Sequence, residues 1–117
     1  MEVSTPPDRE REAALLRAMG HSARLMLLES LCNGEECVCH LTNILDRPQP
    51  YVSKQLAELR EAGLVADRRD GQRIYYRLTD QRVSAVLKAT MDLSGREFAP
   101  ERKHLDGCPC PYCGGLS

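Results

Sequence analysis

Two cysteines separated by one residue, Cys37 and Cys39, stand in the segment ECVCHL, and three more crowd the C-terminal segment CPCPYC. Thiolates are the ligands that soft ions prefer: three suit As(III) or Sb(III), and four suit Cd(II) or Pb(II). The first pair alone is one or two sulfurs short of such a site. The spacing therefore indicates a thiophilic ion whose candidate ligands are Cys37, Cys39, Cys108, Cys110 and Cys113.

The composition indicates where these thiols would operate. The opening segment MEVSTPPDREREAALLRAMG carries both charge signs and no long apolar run, so we expect no signal peptide, no membrane span and a cytoplasmic protein. Disulfides are rare in that compartment, and six cysteines there indicate metal or redox chemistry before a disulfide framework. The net charge of −1 gives no global signal of nucleic-acid binding, so contact with DNA has to depend on a local patch.

Hydrophobic periodicity over the 117 residues predicts one domain of short helices and a hairpin, because Asp70-Gly71 lies between two alternating segments as a tight turn does. We expect helix 1 from Asp8 to about Gly20, helix 2 capped by Ser22, helix 3 from Glu35 or Glu36, helix 4 opened by Pro48 or Pro50 and ended by Gly63, strands at 64–69 and 73–78, and a last helix from about Asp80 to Leu93. The expected organisation is a flexible N-terminus at 1–7, the folded domain at 8–94 and a flexible cysteine-rich tail at 95–117.

This order of elements, mainly α-helical with a small β-hairpin, is that of a winged helix-turn-helix. Helix 4 would then enter the major groove, with Gln55 able to bond an adenine edge and Lys54 able to reach a guanine or a phosphate. Arginines beside the tight turn suit a wing that touches phosphates. The alternative is that these are ordinary solvated charges on a small domain. The predicted DNA-binding residues are Gln49, Tyr51, Ser53, Lys54, Gln55, Arg68, Arg69 and Arg73.

The segment from Gly34 to Leu78, GEECVCHLTNILDRPQPYVSKQLAELREAGLVADRRDGQRIYYRL, resembles the ArsR/SmtB family of metal-responsive winged-helix repressors. With the flanking LLRAMGHSARLMLLESL the resemblance covers about residues 12 to 92. It implies a homodimer whose first and last helices form the interface. It also implies a repressor that leaves double-stranded operator DNA when its inducer binds.

The third-helix motif that is usual in the arsenic- and cadmium-type members is ELCVCDL, and this chain both matches it and departs from it. Cys37, Val38, Cys39 and Leu41 match. His40 stands where Asp is usual, and Thr42 stands where some arsenic sensors carry a further cysteine. Residues 80–97 contain no His, so the resemblance implies no zinc or nickel site on the last helix.

A regular helix would keep the two motif thiols apart, because Cys37 and Cys39 would lie about 200° apart around its axis. Cys37 would sit at the edge of the apolar stripe and Cys39 would face water. The sulfurs can meet only if the first turn unwinds, and an ion that held both would then distort the helix start. Because helix 3 packs on the recognition helix, that distortion would shift its pose.

The tail leaves several interpretations open. Its thiols can complete the site begun by Cys37 and Cys39, from the same or the other subunit, or form an independent site with His104, for which a zinc knuckle is conceivable. CPYC resembles the glutaredoxin motif, but only four residues follow it, so we expect no enzyme. A repressor that responds to thiol oxidation or persulfides is the main alternative. We expect Cys32 in the core, His40 solvated and no metal role for His21.

Overall fold

The structure, a computed structural model, describes residues 7–97. This part of the chain forms five helices and three short strands, in the order that the periodicity predicts apart from one additional strand. The elements are α1 Pro7–Met19, α2 Ser22–Leu31, β1 Glu36–Cys37, α3 Val38–Leu45, α4 Gln49–Glu61, β2 Val65–Asp70, β3 Arg73–Leu78 and α5 Arg82–Ser94. The cysteine-rich tail lies outside the described residues, and its expected boundary stays a prediction.

The three strands form one antiparallel sheet in the order β1-β3-β2. The predicted hairpin of β2 and β3 is confirmed, with Val65 opposite Leu78 and Asp70 opposite Arg73. Its turn lies one residue later than the sequence suggested, at Gly71 and Gln72, and Gly71 adopts a φ of 66° that favours glycine. A three-stranded sheet therefore replaces the expected two-stranded hairpin.

Leucines on the helical stripes build the core. α2, α3 and α4 surround it, and α5 closes it against α2. Val65, Leu78 and Tyr76 of the sheet join the same cluster, so the wing is continuous with the helical core. The side chains with no exposed surface include Leu27, Leu28, Leu41, Leu56 and Leu59.

Two expected helix starts are corrected by the structure. Ser22 is the first residue of α2 rather than its cap; the cap is His21, whose Nδ1 accepts a hydrogen bond from the Ala23 amide at 3.2 Å. His21 thus has a structural role. The third helix begins at Val38 instead of Glu35 or Glu36, because residues 36 and 37 pair with β3 as an edge strand. The acidic pair imitates a helix start, but backbone pairing with a distant strand overrides that local preference.

The turn between α3 and α4 fixes the start of α4 beside the end of α3. Asp46 takes the left-handed conformation, φ 53° and ψ 47°, and its amide closes α3 by donating to the carbonyls of Thr42 and Asn43. Pro48 then precedes α4, and Pro50 occupies its first turn, where a missing amide proton costs no intrahelical bond.

Candidate sensor junction and nucleic-acid interface

The two motif cysteines meet at the junction of β1 and α3. Cys37 is not helical: its backbone is extended, with φ −82° and ψ 156°, and its Sγ accepts a hydrogen bond from the His40 amide at 3.4 Å. Cys39 lies in the first turn of α3, and its Sγ contacts that of Cys37 as a disulfide partner, with the Cα atoms 5.4 Å apart. The two sulfurs therefore meet not through an unwound first turn but because α3 begins after Cys37, which lies in β1.

The two sulfurs differ in their access to solvent. Cys37 is 1% exposed, whereas Cys39 is exposed, as its predicted position on the helix indicated. The pair is therefore accessible to solvent on the side of Cys39 only, and Cys37 lies in the interior. Among residues 7–97 no group of three or more histidine, cysteine or acidic side chains is arranged to hold a metal ion. Cys108, Cys110 and Cys113 lie outside the described residues.

A buried acid and base flank the cysteine pair. Glu36 and His40 both have 0% exposed side chains, and Nε2 of His40 lies 3.7 Å from Oε1 of Glu36. The expectation that His40 is solvated is wrong. Because Glu36 belongs to β1 and not to a continuous helix, its side chain enters the interior and covers His40. Such pairs are sensitive to the loss of one member, since the other is then left in a poorly polarisable environment.

Cys32 is not part of this junction. It is the half-buried C-cap residue that follows α2, packed against the core as expected, and its thiol donates to the Leu28 carbonyl at 3.4 Å. Burial raises the pKa of the Cys32 thiol, so it stays protonated and weakly nucleophilic near neutral pH.

The start of α4 and the turn before it form one exposed polar surface. Gln49, Ser53 and Lys54 are exposed there, as predicted for base or phosphate contacts. Tyr51 is half-buried, and the guanidinium of Arg47 lies 5.2 Å from its ring centroid. Arg47 was not predicted from the sequence, although a basic residue in the turn before a recognition helix is a usable signal of phosphate contact.

Gln55 lies on the buried side of α4, not on the exposed polar side where it was expected. It is 5% exposed, and its Oε1 accepts a hydrogen bond from Nε of Arg24 at 2.9 Å. Its position three residues after Val52 and four before Leu59, both fully buried, explains this placement. In this conformation Gln55 fixes α4 to α2 through Arg24, a partner that the sequence reasoning also missed.

The three wing arginines have different surroundings. Arg69 is exposed near the hairpin tip, and Arg73 is half-buried at the start of β3. Arg68 donates from Nε and from Nη2 to the two carboxylate oxygens of Glu35, at 2.7 Å each. Its Cζ also lies 4.6 Å from the ring centroid of Tyr75. Glu35 was not singled out from the sequence, since no local pattern reveals a partner 33 residues away.

Comparison with known proteins places the chain in a family. The model of the bacterial regulatory protein arsR family matches residues 21–67. The arsenic resistance transcriptional regulator ArsR1 of Pseudomonas putida is 45% identical over 108 residues, which cover 89% of this chain and 80% of the relative. The chain belongs to the ArsR family.

Two solved structures have the same fold. The crystal structure of NolR from Sinorhizobium fredii aligns with a TM-score of 0.71 at 34% identity, over 82% of this chain and 99% of that one. A homodimeric winged helix-turn-helix DNA-binding domain from Mycobacterium bovis aligns with a TM-score of 0.69 at 24% identity, over 81% and 91%. These matches confirm the winged helix-turn-helix fold. The family model and the relative ArsR1 identify the protein as a transcriptional regulator rather than an enzyme.

The first and last helices, α1 and α5, carry exposed apolar side chains, and these are the helices at which the family resemblance predicts a dimer interface. Leu16 of α1 is 61% exposed, and Leu93 of α5 is 90% exposed. Val86, also on α5, is 40% exposed.

None of the helices that the structure describes is long and apolar enough to cross a bilayer.

Proposed function

We propose that this ArsR-family protein is a cytoplasmic homodimeric repressor that leaves its operator when a thiophilic ion binds Cys37 and Cys39. As(III) or Sb(III) is the first choice of inducer, and Cd(II) or Pb(II) is the second. The observation that carries the proposal is the convergence of the two sulfurs at the β1–α3 junction. The similarity to a regulator of arsenic resistance supports the order of the ions.

The junction contacts both elements that are proposed to bind DNA, α4 and the wing. α3 packs against α4, whose exposed start carries Gln49, Ser53 and Lys54. β1 pairs with β3, which forms the wing with β2. An ion that draws the sulfurs together therefore acts on the recognition helix and on the wing at once.

The sulfur count requires a third contributor. The junction supplies two thiolates, whereas As(III) takes three and Cd(II) takes four. We assign the missing sulfur to Cys108, Cys110 or Cys113, from either subunit of the dimer. To move the DNA-competent fraction from 99% to 1%, the ion must bind the released form about 10⁴-fold better than the competent form, or ~5.5 kcal/mol.

Serine substitutions test this site. A labelled duplex is first enriched from a random library by reduced full-length protein, and its affinity is then measured with and without arsenite. Cys37→Ser and Cys39→Ser keep duplex binding and lose release by arsenite, because each removes one ligand. Cys32→Ser is the matched control and is released like the wild type. Release of the double variant Cys37→Ser/Cys39→Ser at the wild-type arsenite concentration would refute the site.

A second candidate trigger is oxidation of the same pair, which the contact between the two sulfurs favours. Two thiols lose two protons and two electrons on forming a disulfide, and hydrogen peroxide that accepts them becomes two water molecules. Release of the duplex by peroxide in the presence of a chelator, with no effect of arsenite, would select this trigger over the ion.

A further inference from the structure

Three side chains form a row across the sheet from the sensor junction to the wing. Tyr75 on β3 is the register partner of Cys37 on β1 and of Arg68 on β2. Directly paired residues in an antiparallel sheet point to the same face and contact one another. Cys37 and Arg68 are therefore separated by one residue, Tyr75, whose side chain is only 2% exposed.

The far end of this row is held by Glu35, two residues before Cys37. The two 2.7 Å bonds from Arg68 engage both carboxylate oxygens of Glu35, a forked geometry that is stronger than a single contact. Glu35 has only 15% of its side chain exposed, against 44% for Arg68, so the pair is partly shielded from water. The ring of Tyr75 lies against the guanidinium as a third contact.

A guanidinium fork recognises carboxylates and phosphates through the same donors. Arg68 bound to Glu35 in this way cannot direct Nε and Nη2 to a DNA phosphate. We propose that Glu35 is a positioning residue that withdraws Arg68 from DNA when the sulfurs of Cys37 and Cys39 are drawn together. The proposal rests on the function proposed above, and adds a specific route from the sensor to the wing.

The sequence of contacts gives the route a direction. Glu35 directly precedes β1, which carries Cys37, and its partner Arg68 lies in the same row of the sheet as Cys37. A displacement of β1 at Cys37 therefore moves the carboxylate of Glu35 with it. When the sulfurs are joined, as in this structure, the carboxylate reaches Arg68. When they are separate and no ion is bound, the junction relaxes and a phosphate takes over the guanidinium.

The test compares Glu35→Gln with a matched control on the same sheet. Asp67→Asn removes the same charge and breaks an exposed ion pair with Arg60 at 3.3 Å, whereas the ion pairs of Arg68 with Glu35 and Asp70 keep both members. Full-length proteins are titrated against the enriched duplex as reduced ion-free protein, as arsenite-loaded protein and as peroxide-oxidised protein. In Glu35→Gln the factor by which arsenite or peroxide weakens binding falls about fivefold. In Asp67→Asn the duplex affinities of the reduced, arsenite-loaded and oxidised proteins change by the same factor, so the weakening by arsenite or peroxide is unchanged.

Combining Glu35→Gln with Arg68→Gln tests whether Arg68 is the residue on which Glu35 acts. Glu35→Gln has no effect on the weakening factor when Arg68→Gln is also present, because the withheld contact no longer exists. The ultraviolet thiolate band reports the same number of sulfurs per arsenic in all variants. A weakening factor in Glu35→Gln equal to that of Asp67→Asn, or an effect that persists beside Arg68→Gln, overturns the role of Glu35.

The two proposals fail differently. If arsenite does not release the wild type but peroxide does, the ion trigger is wrong and Glu35 is judged on the oxidised protein. If the wild type is released and Glu35→Gln is released equally well, only the role of Glu35 is wrong. Release of the wild type by neither treatment overturns both.

Discussion

The proposed sensor junction and the proposed DNA-binding surface are neighbours in the fold but differ in their exposure to solvent. In the junction, residues 35–41, Glu36, His40 and Leu41 have no exposed surface and Cys37 has almost none. On the surface formed by the start of α4, Gln49, Ser53 and Lys54 are all exposed. We therefore expect substitutions in the junction to change the stability of the fold, and substitutions on the exposed start of α4 to change DNA binding alone.

The largest expected effect is a loss of stability when buried His40 is replaced. His40→Ala leaves the Glu36 carboxylate buried without the imidazole 3.7 Å away, and we expect it to lower the free energy of unfolding by about 3 kcal/mol. Arg60→Ala breaks an exposed pair, and we expect a change below about 1 kcal/mol. Urea unfolding followed by circular dichroism measures both.

An apolar double variant guards against a single variant that does not fold. Glu36→Leu/His40→Leu removes both polar groups and recovers most of the stability lost by His40→Ala. Equal losses of unfolding free energy in His40→Ala and Arg60→Ala would show that the buried pair contributes no more to stability than the exposed pair.

A smaller effect concerns two lysines that differ in place but not in type. Lys54 on α4 and Lys88 on α5 are both exposed. Lys54→Ala weakens duplex binding roughly fivefold at physiological salt and lowers the slope of log affinity against log salt by about one, since one phosphate contact is lost. Lys88→Ala changes neither quantity, and thermal scanning gives unchanged midpoints for both variants. Equal loss of affinity in the two variants would contradict the assignment of α4 to the groove.

The smallest effect is a pH dependence at the start of α5. Hydrogen bonds from Arg82 lower the pKa of Asp80 from 3.8 to about 2. A carboxylate whose folded pKa is depressed stabilises the fold above its unfolded pKa, and this contribution is lost as the pH falls from about 4 to about 2. Asp80→Asn should therefore be less stable than wild type above pH 4, with the difference vanishing towards pH 2 in acid-unfolding curves. A difference that persists at pH 2 would assign the effect to something other than this carboxylate.

Short sequence patterns predicted the features that depend on residues close together in the chain. The leucine spacing of α2, α3 and α4 gave the core face, and the glycine after Asp70 gave the wing. The exposed positions of Lys54 and Arg69 also followed from the pattern. Gln55 could have been placed correctly by the same rule, because it shares the buried stripe of Val52 and Leu59.

Pairings between distant residues explain the rest. β1 was missed because two residues carry no strand period, and the partners that define it, Tyr75 and Tyr76, lie almost forty residues later. The burial of His40 and the contact of Glu35 with Arg68 follow from that pairing, so they were missed together. The meeting of Cys37 with Cys39 was predicted only on the condition of an unwound turn, whereas the same strand brings it about by placing Cys37 before the helix.

The brevity of β1 also bears on how quickly such a regulator responds. A strand of two residues contributes few ladder bonds, so it can detach and re-form as a local opening while the leucine core stays intact. The repressor would then reset after each exposure without passing through the unfolded chain, on the timescale of a loop rather than of a domain.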